Sequence, residues 1–475
     1  MDFDVIIIGA GPAGLFTAYE LVKHSGLKIL LIEKGLRASK RLCPLMNVNN
    51  RFNSLENPRC SMCRPCHIIH GVGGAGVFSS GTINLRPDIG GDLHLLTGSW
   101  SYAEELINYI DKVFLEFGAP SDQIYVPPSD RVKEVERLIA KAGAQFIPAP
   151  QRVIGSDNTF SVIENMTVYL ERNNVKLLLE TTAYDIYRDQ GSMLVKTSNG
   201  IYRGKYVVLA PGRSGASWFM DLARRRGIEV EPGPLDIGVR LEFPAFISEP
   251  LTSIVRDPKI ILYTRVYDDR VRTFCTNPYG FVVEERYDDG FVLVNGESYT
   301  RIKSRNTNLA LLVTIKLTDP MENTIEYGRY IARLTTKLGG GKPLIQRFSD
   351  LEAGRRSTWD RIHRSTTEPT LRDVTPGDIG MALPYRVVSD IIEAINRLDT
   401  IFPGLASNQT LLYAPEIKFY SVKAVINREL ETSMENVFAA GDGAGLSRGI
   451  NVAAATGVLV ARSILSREGI DFDRK

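Results

Sequence analysis

From residue 5 to residue 33 the chain runs through a strand, a glycine-rich turn, a helix, a second strand and an acid, in that order. Val5-Ile6-Ile7-Ile8 is a short, continuous β-branched run, as a parallel strand buried on both faces requires. Gly9-Ala10-Gly11-Pro12-Ala13-Gly14 follows, then a helical stretch to about His24 and an apolar strand over Lys28 to Ile32. In such a unit the first glycine makes the tight turn, the second lets a pyrophosphate approach the backbone, and the third lets the helix pack on the strand. The phosphates meet the free N–H groups and positive dipole end of the helix. Glu33 lies 19 residues past Gly14, close to the ~20 expected of a carboxylate that binds a ribose 2′-OH. The alternative is a glycine turn that only packs; two strands, a helix and the acid together weigh against it. The residues therefore predict a Rossmann-type dinucleotide-binding unit in an α/β fold.

The rest of the chain must fit around that unit. Its 475 residues are enough for two or three domains, or one large domain with an insertion. Hydrophobic residues at 44% and charged residues at 24% exclude a mainly disordered chain. A net charge of +2 gives no overall electrostatic case for nucleic acid or anionic lipid. Met1-Asp2-Phe3-Asp4 has no basic n-region, so no signal peptide is expected, and no apolar run is long enough for a membrane span. A cytoplasmic location is the expectation. The 5 cysteines are too few for a disulfide scaffold, yet Cys43, Cys60, Cys63 and Cys66 cluster while Cys275 stands alone.

Residues 37–98 read as loop-rich and carry a second glycine run, Gly71 to Gly81. Ser101 with Glu104 reads as a capping box for a helix continued by Leu106, Ile110, Val113 and Phe117. A further helix is expected from about Asp130 to Ala142, and another capped by Ser161 with Glu164. Lys176 to Leu179, Ser192 to Thr197 and Ile201 to Leu209 read as strands, the last ending at Ala210-Pro211-Gly212. Between about 230 and 425 strands dominate: Ile237 to Phe243, Ile260 to Val266, Phe281 to Glu285, Phe291 to Val294 and Ala310 to Leu317. Near the end, Val437 to Ala440 leads into Gly441-Asp442, and Gly449-Ile450-Asn451 opens a small-residue helix to about Leu465.

Three of these segments resemble the FAD signatures of the glutathione-reductase-type flavoprotein superfamily: Gly9-x-Gly11-x-x-Gly14 with Glu33, Leu209-Ala210-Pro211-Gly212, and Glu435 to Asp442. The resemblance implies FAD, and assigns Asp442 to the ribityl chain and phosphate. A carboxylate suits a ribityl hydroxyl, and the helix starting near Gly449 would stabilise negative charge on the reduced flavin. No second dinucleotide fold is present, so NAD(P)H is expected only as a transient donor. The middle motif reads Ala-Pro-Gly where Ala-Thr-Gly is commoner. A narrower resemblance, to a family of FAD-dependent dehydrogenases of bacteria and archaea, rests on Cys43-Pro44-Leu45, the later cysteines and Gly73 to Gly81. Leu235 to Arg240, Arg272 to Pro278 and Val294-Asn295-Gly296 fit it too. A family Ser-Asp-Gly-Lys run reads Ser79-Ser80-Gly81-Thr82 here, so no catalytic role is carried over there. The cofactor-binding residues expected are Gly9, Gly11, Pro12, Ala13, Gly14, Glu33, Lys34, Gly73, Gly74, Ala75, Gly76, Ala210, Gly212, Gly441, Asp442, Gly449, Ile450 and Asn451.

Cys60-x-x-Cys63-x-x-Cys66 with the remote Cys43-Pro44 has the spacing of iron–sulfur ligands, and four thiolates equally hold zinc. The expectation is a [4Fe–4S] cluster or Zn on Cys43, Cys60, Cys63 and Cys66, with a disulfide or redox thiols, or inert thiols, as the alternatives. Lys418 and Arg448 are the candidates for binding an anionic substrate or a developing flavin charge.

The expected architecture is a discontinuous FAD-binding domain, 1–215 and 430–475 with a helical insertion at about 95–150, and a mainly β substrate domain at 216–429. The expected function is an FAD-dependent oxidoreductase of open substrate, acting on a small molecule or a redox partner protein. A non-enzymatic flavin-binding redox sensor or assembly partner, and a flavin monooxygenase, are the alternatives.

Overall fold

The structure is a computed structural model that describes residues 2–43, 60–231, 233, 235–287, 289–315, 324–419 and 423–472. Strand β1 (Phe3–Ile8) is parallel to β2 (Ile29–Ile32) on one side and to Gly200–Leu209 on the other. Val5, Ile6 and Ile7 are wholly buried, which is why this run carries no polar alternation. Lys176–Leu178 extends the sheet beyond β2, Ser192–Thr197 and Ala183–Asp189 form its antiparallel edge, and Val437–Ala439 adds beside Val207 to Leu209. Strands from both ends of the chain therefore share this seven-stranded sheet.

Helix α1 (Pro12–His24) leaves the tip of β1 through Gly9, whose φ of +104° is open to glycine at little cost. The C-terminal helix Ile450–Arg467 lies directly on α1. A side chain at Gly457 would place its Cβ 2.1 Å from the Ala13 carbonyl oxygen. The Thr17 hydroxyl fills the seam, donating to Ala13 O at 2.8 Å. Small residues along both helices permit this close contact, and it brings the two N-terminal helix ends side by side.

The second sheet has eight strands. At its centre Leu235–Pro244, buried at all ten positions, pairs antiparallel with Asn306–Ile315 and Leu411–Phe419. Arg270–Asn277 and Lys259–Tyr263 continue it, and Ala144–Ile147 closes the edge. That edge strand comes from the segment expected as a helical insertion. The strand-rich region also carries helices: Tyr385–Leu398 buries Val387, Ile391, Ala394, Ile395 and Leu398 at helical spacing. Phe281–Arg286 and Val292–Glu297 form a separate hairpin.

Two expected caps are shifted. The helix Trp100–Glu116 is capped by Ser99, which accepts from Tyr102 N at 3.2 Å, and Ser101 lies inside it. The helix Thr159–Arg172 begins before Ser161, whose hydroxyl turns back to Asn158 O at 2.8 Å. In both, the serine sits inside the first turn and its glutamate in the second, so the pair no longer precedes the free N–H groups.

Candidate functional site

A cavity of about 350 Å³ opens between the two sheets. The dinucleotide unit contributes Gly9, Gly11, Pro12, Ala13, Glu33 and Lys34. The second glycine run adds Gly71, Gly74, Ala75 and Gly76, and the Ala210-Pro211-Gly212 turn faces them. Gly441, Asp442, Arg448, Gly449 and Ile450 complete this side from the C-terminal segment.

Glu33 is the organising acid. It is buried, yet its Oε2 accepts from Ala10 N and its Oε1 from Gly35 N and Gly71 N, each at 2.9 Å. Three backbone donors compensate one desolvated carboxylate. Oε2, which accepts from Ala10 N, keeps acceptor capacity for a ribose hydroxyl. Gly73 N donates to Ala10 O at 2.8 Å, so the second glycine run lies against the first. A Cβ built at Gly11 would meet only Gly74 Cα, at 4.0 Å, so the backbone here is approachable, as a pyrophosphate requires.

Arg41 holds that second run. Only 1% exposed, it donates to the carbonyls of His67, Ile68, Val72 and Gly74 at 2.8–2.9 Å. Burial draws its guanidinium down to about 10 while Glu33 pulls the other way. The sequence offered no sign of this role, since an arginine in a loop reads as solvated.

At the C-terminal side Gly441 has φ +76° and turns the chain out of Val437–Ala439. Asp442 accepts from the Ser447 hydroxyl and pairs with Arg213 Nε at 3.4 Å, tying two remote motifs together. The helix Ile450–Arg467 starts at Gly449 without a side-chain cap, and Ile450 and Ala453 line the cavity. The N-terminus of α1 is likewise uncapped by a side chain. These residues fit an FAD: an acid for the ribose, the free end of α1 for the phosphates, a carboxylate for the ribityl chain, and the free end of the C-terminal helix for negative charge on the reduced flavin.

Three expected cofactor residues stand behind the cavity wall. Gly14 serves packing, since a Cβ there would fall 1.9 Å from Gly9 O. Gly73 backs onto Val77 and Ile163. Asn451, 1% exposed, donates to Asn84 O at 2.8 Å and Ile89 O at 2.9 Å, fixing the loop beside the cavity. Lys418 also lies outside the lining: it is buried against Glu416, 2.9 Å away. Arg448 lines the cavity and is held by Asp92 at 2.5 Å.

The described residues lend the expected four-thiolate centre no support. Among the described residues no three His, Cys, Asp or Glu side chains converge to hold a metal. Cys66 packs into the apolar core, where burial pushes its thiol up and backbone N–H groups of Ile68, Arg286 and Ile69 partly offset that. Cys60 instead accepts from Met62 N at 3.3 Å. The Arg286 side chain also hydrogen-bonds Cys60.

The wall opposite the cofactor segments was missed in detail: Asp257, Lys259, Phe274, Cys275, Glu285, Tyr287 and Asn295. Lys259 pairs with Asp257, which also accepts from Thr276 N at 2.9 Å. Phe274 carries Lys259 at 5.3 Å and Arg272 at 4.8 Å from its ring centre. Glu285 accepts from Asn295 Nδ2 at 2.7 Å. Behind Asn295 stands Arg240, fully buried and bidentate to Glu416 at 2.7 and 2.8 Å. The motifs around Arg240, Cys275 and Asn295 were the available signal, but alternation alone cannot tell which face of a strand meets a cavity.

Two family models match parts of this chain. Residues 4–41 match the family model "FAD dependent oxidoreductase". Residues 259–418 match "FAD-dependent protein, C-terminal domain-like". A relative from Clostridium beijerinckii, described as an uncharacterized protein, is 25% identical over 97% of this chain and 80% of its own length. Among solved structures, a glycine oxidase from Geobacillus kaustophilus overlaps with a TM-score of 0.42 at 12% identity, over 99% of this chain and 96% of that one. An L-proline dehydrogenase from P. horikoshii overlaps with a TM-score of 0.43 at 13% identity, over 99% and 94%. Among the described residues no helix is long and apolar enough to cross a membrane.

Proposed function

We propose that this chain, an FAD-dependent oxidoreductase, oxidises a small molecule held between its FAD cradle and the wall built by Lys259, Phe274, Glu285, Tyr287 and Asn295. The single observation that carries the reading is the meeting of both groups of residues in one cavity. Bound FAD supplies the two-electron chemistry. The chain's own residues bind and orient. Glu33 and the glycine backbones hold the dinucleotide, Asp442 and Arg213 fix the turn beside it, and the second sheet excludes water from the opposite side.

The narrower kinship with glutathione-reductase-type flavoproteins, and with FAD-dependent dehydrogenases, rests on the motifs quoted above. A cytoplasmic location, a small-molecule substrate in place of a macromolecule, and NAD(P)H as a transient donor belong to the same proposal. The near-balanced charge supports a small ligand. Anaerobic mixing of the FAD-loaded protein with NADPH, amines, α-amino acids and 2-hydroxy acids tests it. Bleaching of the flavin by one of them is expected, and a protein that binds FAD but is reduced by none would refute an oxidising role.

A further inference from the structure

We propose that Glu285 receives a proton from the substrate, which therefore carries an O–H or N–H on the carbon that gives up hydride. The inference rests on the proposed FAD-dependent oxidation and adds the acid–base group and the substrate class. Three carboxylates besides Glu33 line the cavity: Asp257, Asp442 and Glu285. Asp257 is paired with Lys259, and Asp442 with Arg213. Among the described residues Glu285 makes no direct ion pair; it accepts from the Asn295 amide and the Tyr287 phenol. It is 3% exposed and lines the cavity, so its acceptor capacity is turned to whatever binds there.

The carboxylate is held in place from behind. Asn295 donates to Glu285 and accepts from Arg240 Nη2 at 3.3 Å. Arg240 is in turn fixed by Glu416, and Glu416 by Lys418. Two buried cations thus face two buried acids, and Glu285 is the member of that set that reaches the cavity. Arg240 is a positioning residue. Tyr287 keeps its proton, because burial and Glu285 both push its phenol far up.

The step balances. The substrate C–H bond breaks with its electron pair and the hydride goes to the bound flavin. The O–H or N–H bond breaks, its electron pair forms C=O or C=N, and the proton passes to Glu285. The substrate loses two electrons and the flavin gains them. The charged and titratable groups facing Glu285 are Tyr287 on its own segment, Arg240 with Glu416 across Asn295, and Arg213 and Cys66 beside Tyr287. Cys275 stands next to Arg240, while Lys259, Asp257 and His70 share the cavity.

The test uses FAD-loaded wild type, Glu285→Gln and Arg240→Lys, mixed anaerobically with primary amines, α-amino acids, 2-hydroxy acids, dithiothreitol and NADPH. FAD affinity and thermal melting of each variant are measured first. The expected result is flavin reduction by an amine, amino acid or hydroxy acid. In Glu285→Gln that rate falls ~100-fold or more and the acidic limb of its pH profile disappears. Its bound flavin becomes easier to reduce, because a negative charge has left the cavity. Arg240→Lys gives a smaller loss of rate with a displaced pH profile. A Gln variant that binds FAD and keeps both rate and pH profile overturns the proposal. So does reduction by dithiothreitol or NADPH alone. Failure of the wild type to bind FAD, or its reduction by none of the donors, refutes the underlying reading instead.

Discussion

Glu33 Oε1 accepts the Gly71 N–H at 2.9 Å, joining the end of β2 to a loop 38 residues further on. The same carboxylate holds Ala10 N, so one acid fixes both glycine runs at the mouth of the cofactor cradle. Substituting it separates two effects. Glu33→Gln keeps the shape but loses charge-assisted acceptance, and FAD affinity is expected to fall ~10-fold or more, read by flavin fluorescence quenching. Glu33→Ala also strands three N–H donors, so the apoprotein loses on the order of 1–3 kcal/mol in denaturant unfolding. Unchanged FAD affinity in both variants would remove the ribose role.

Arg41 acts one layer further back. A lysine has three donors on a single nitrogen and cannot span four carbonyls as the planar guanidinium does. Arg41→Lys is expected to weaken FAD binding several-fold, chiefly through faster release, and to expose the loop at 67–78 to protease. An FAD dissociation rate equal to wild type would show that the loop holds its shape without the clasp.

The contact between α1 and the C-terminal helix has no room to spare. Gly457→Ala puts a methyl group 2.1 Å from Ala13 O, and overpacking of that kind costs ~1–3 kcal/mol. Urea unfolding measures it directly. Because both helix N-termini border the cavity, FAD affinity falls with stability in this variant. A neutral Gly457→Ala would contradict the packing described for these helices.

Glu284 faces the opposite side of its strand from Glu285 and gives a stability signal separate from the site. Burial raises it to about 7, against the lowering effect of Arg286 2.5 Å away. An unfolded glutamate titrates near ~4.3. The folded state therefore binds the proton more tightly; this stabilisation is complete below the unfolded value and is lost as pH rises through about 7. Glu284→Gln, neutral throughout, is expected to melt with wild type at pH 4 and above it at pH 8, by up to on the order of 1–3 kcal/mol. Parallel melting curves across that range would contradict the assignment.

The cofactor half of the fold was legible because its physics is local. A buried parallel strand must be apolar throughout, and a turn at Gly9 with φ +104° favours glycine. Gly441-Asp442 could be matched to that half only by resemblance, since its partner Arg213 lies more than 200 residues earlier. The second sheet was legible as strands but not as a wall. Glu285, Tyr287 and Asn295 become neighbours through a hairpin and a sheet packed from distant segments, and no periodicity marks which of them reach the cavity. The cysteines show the same limit: Cys60 and Cys66 are near in sequence, yet Cys60 accepts from a turn N–H and Cys66 packs in the core.

The most direct test of the account is the flavin content of the purified protein, measured by denaturing it and quantifying released FAD against protein. One FAD per chain, retained through purification or taken up by the apoprotein and lost in Glu33→Ala, is the predicted result. A colourless protein that takes up no FAD would contradict it.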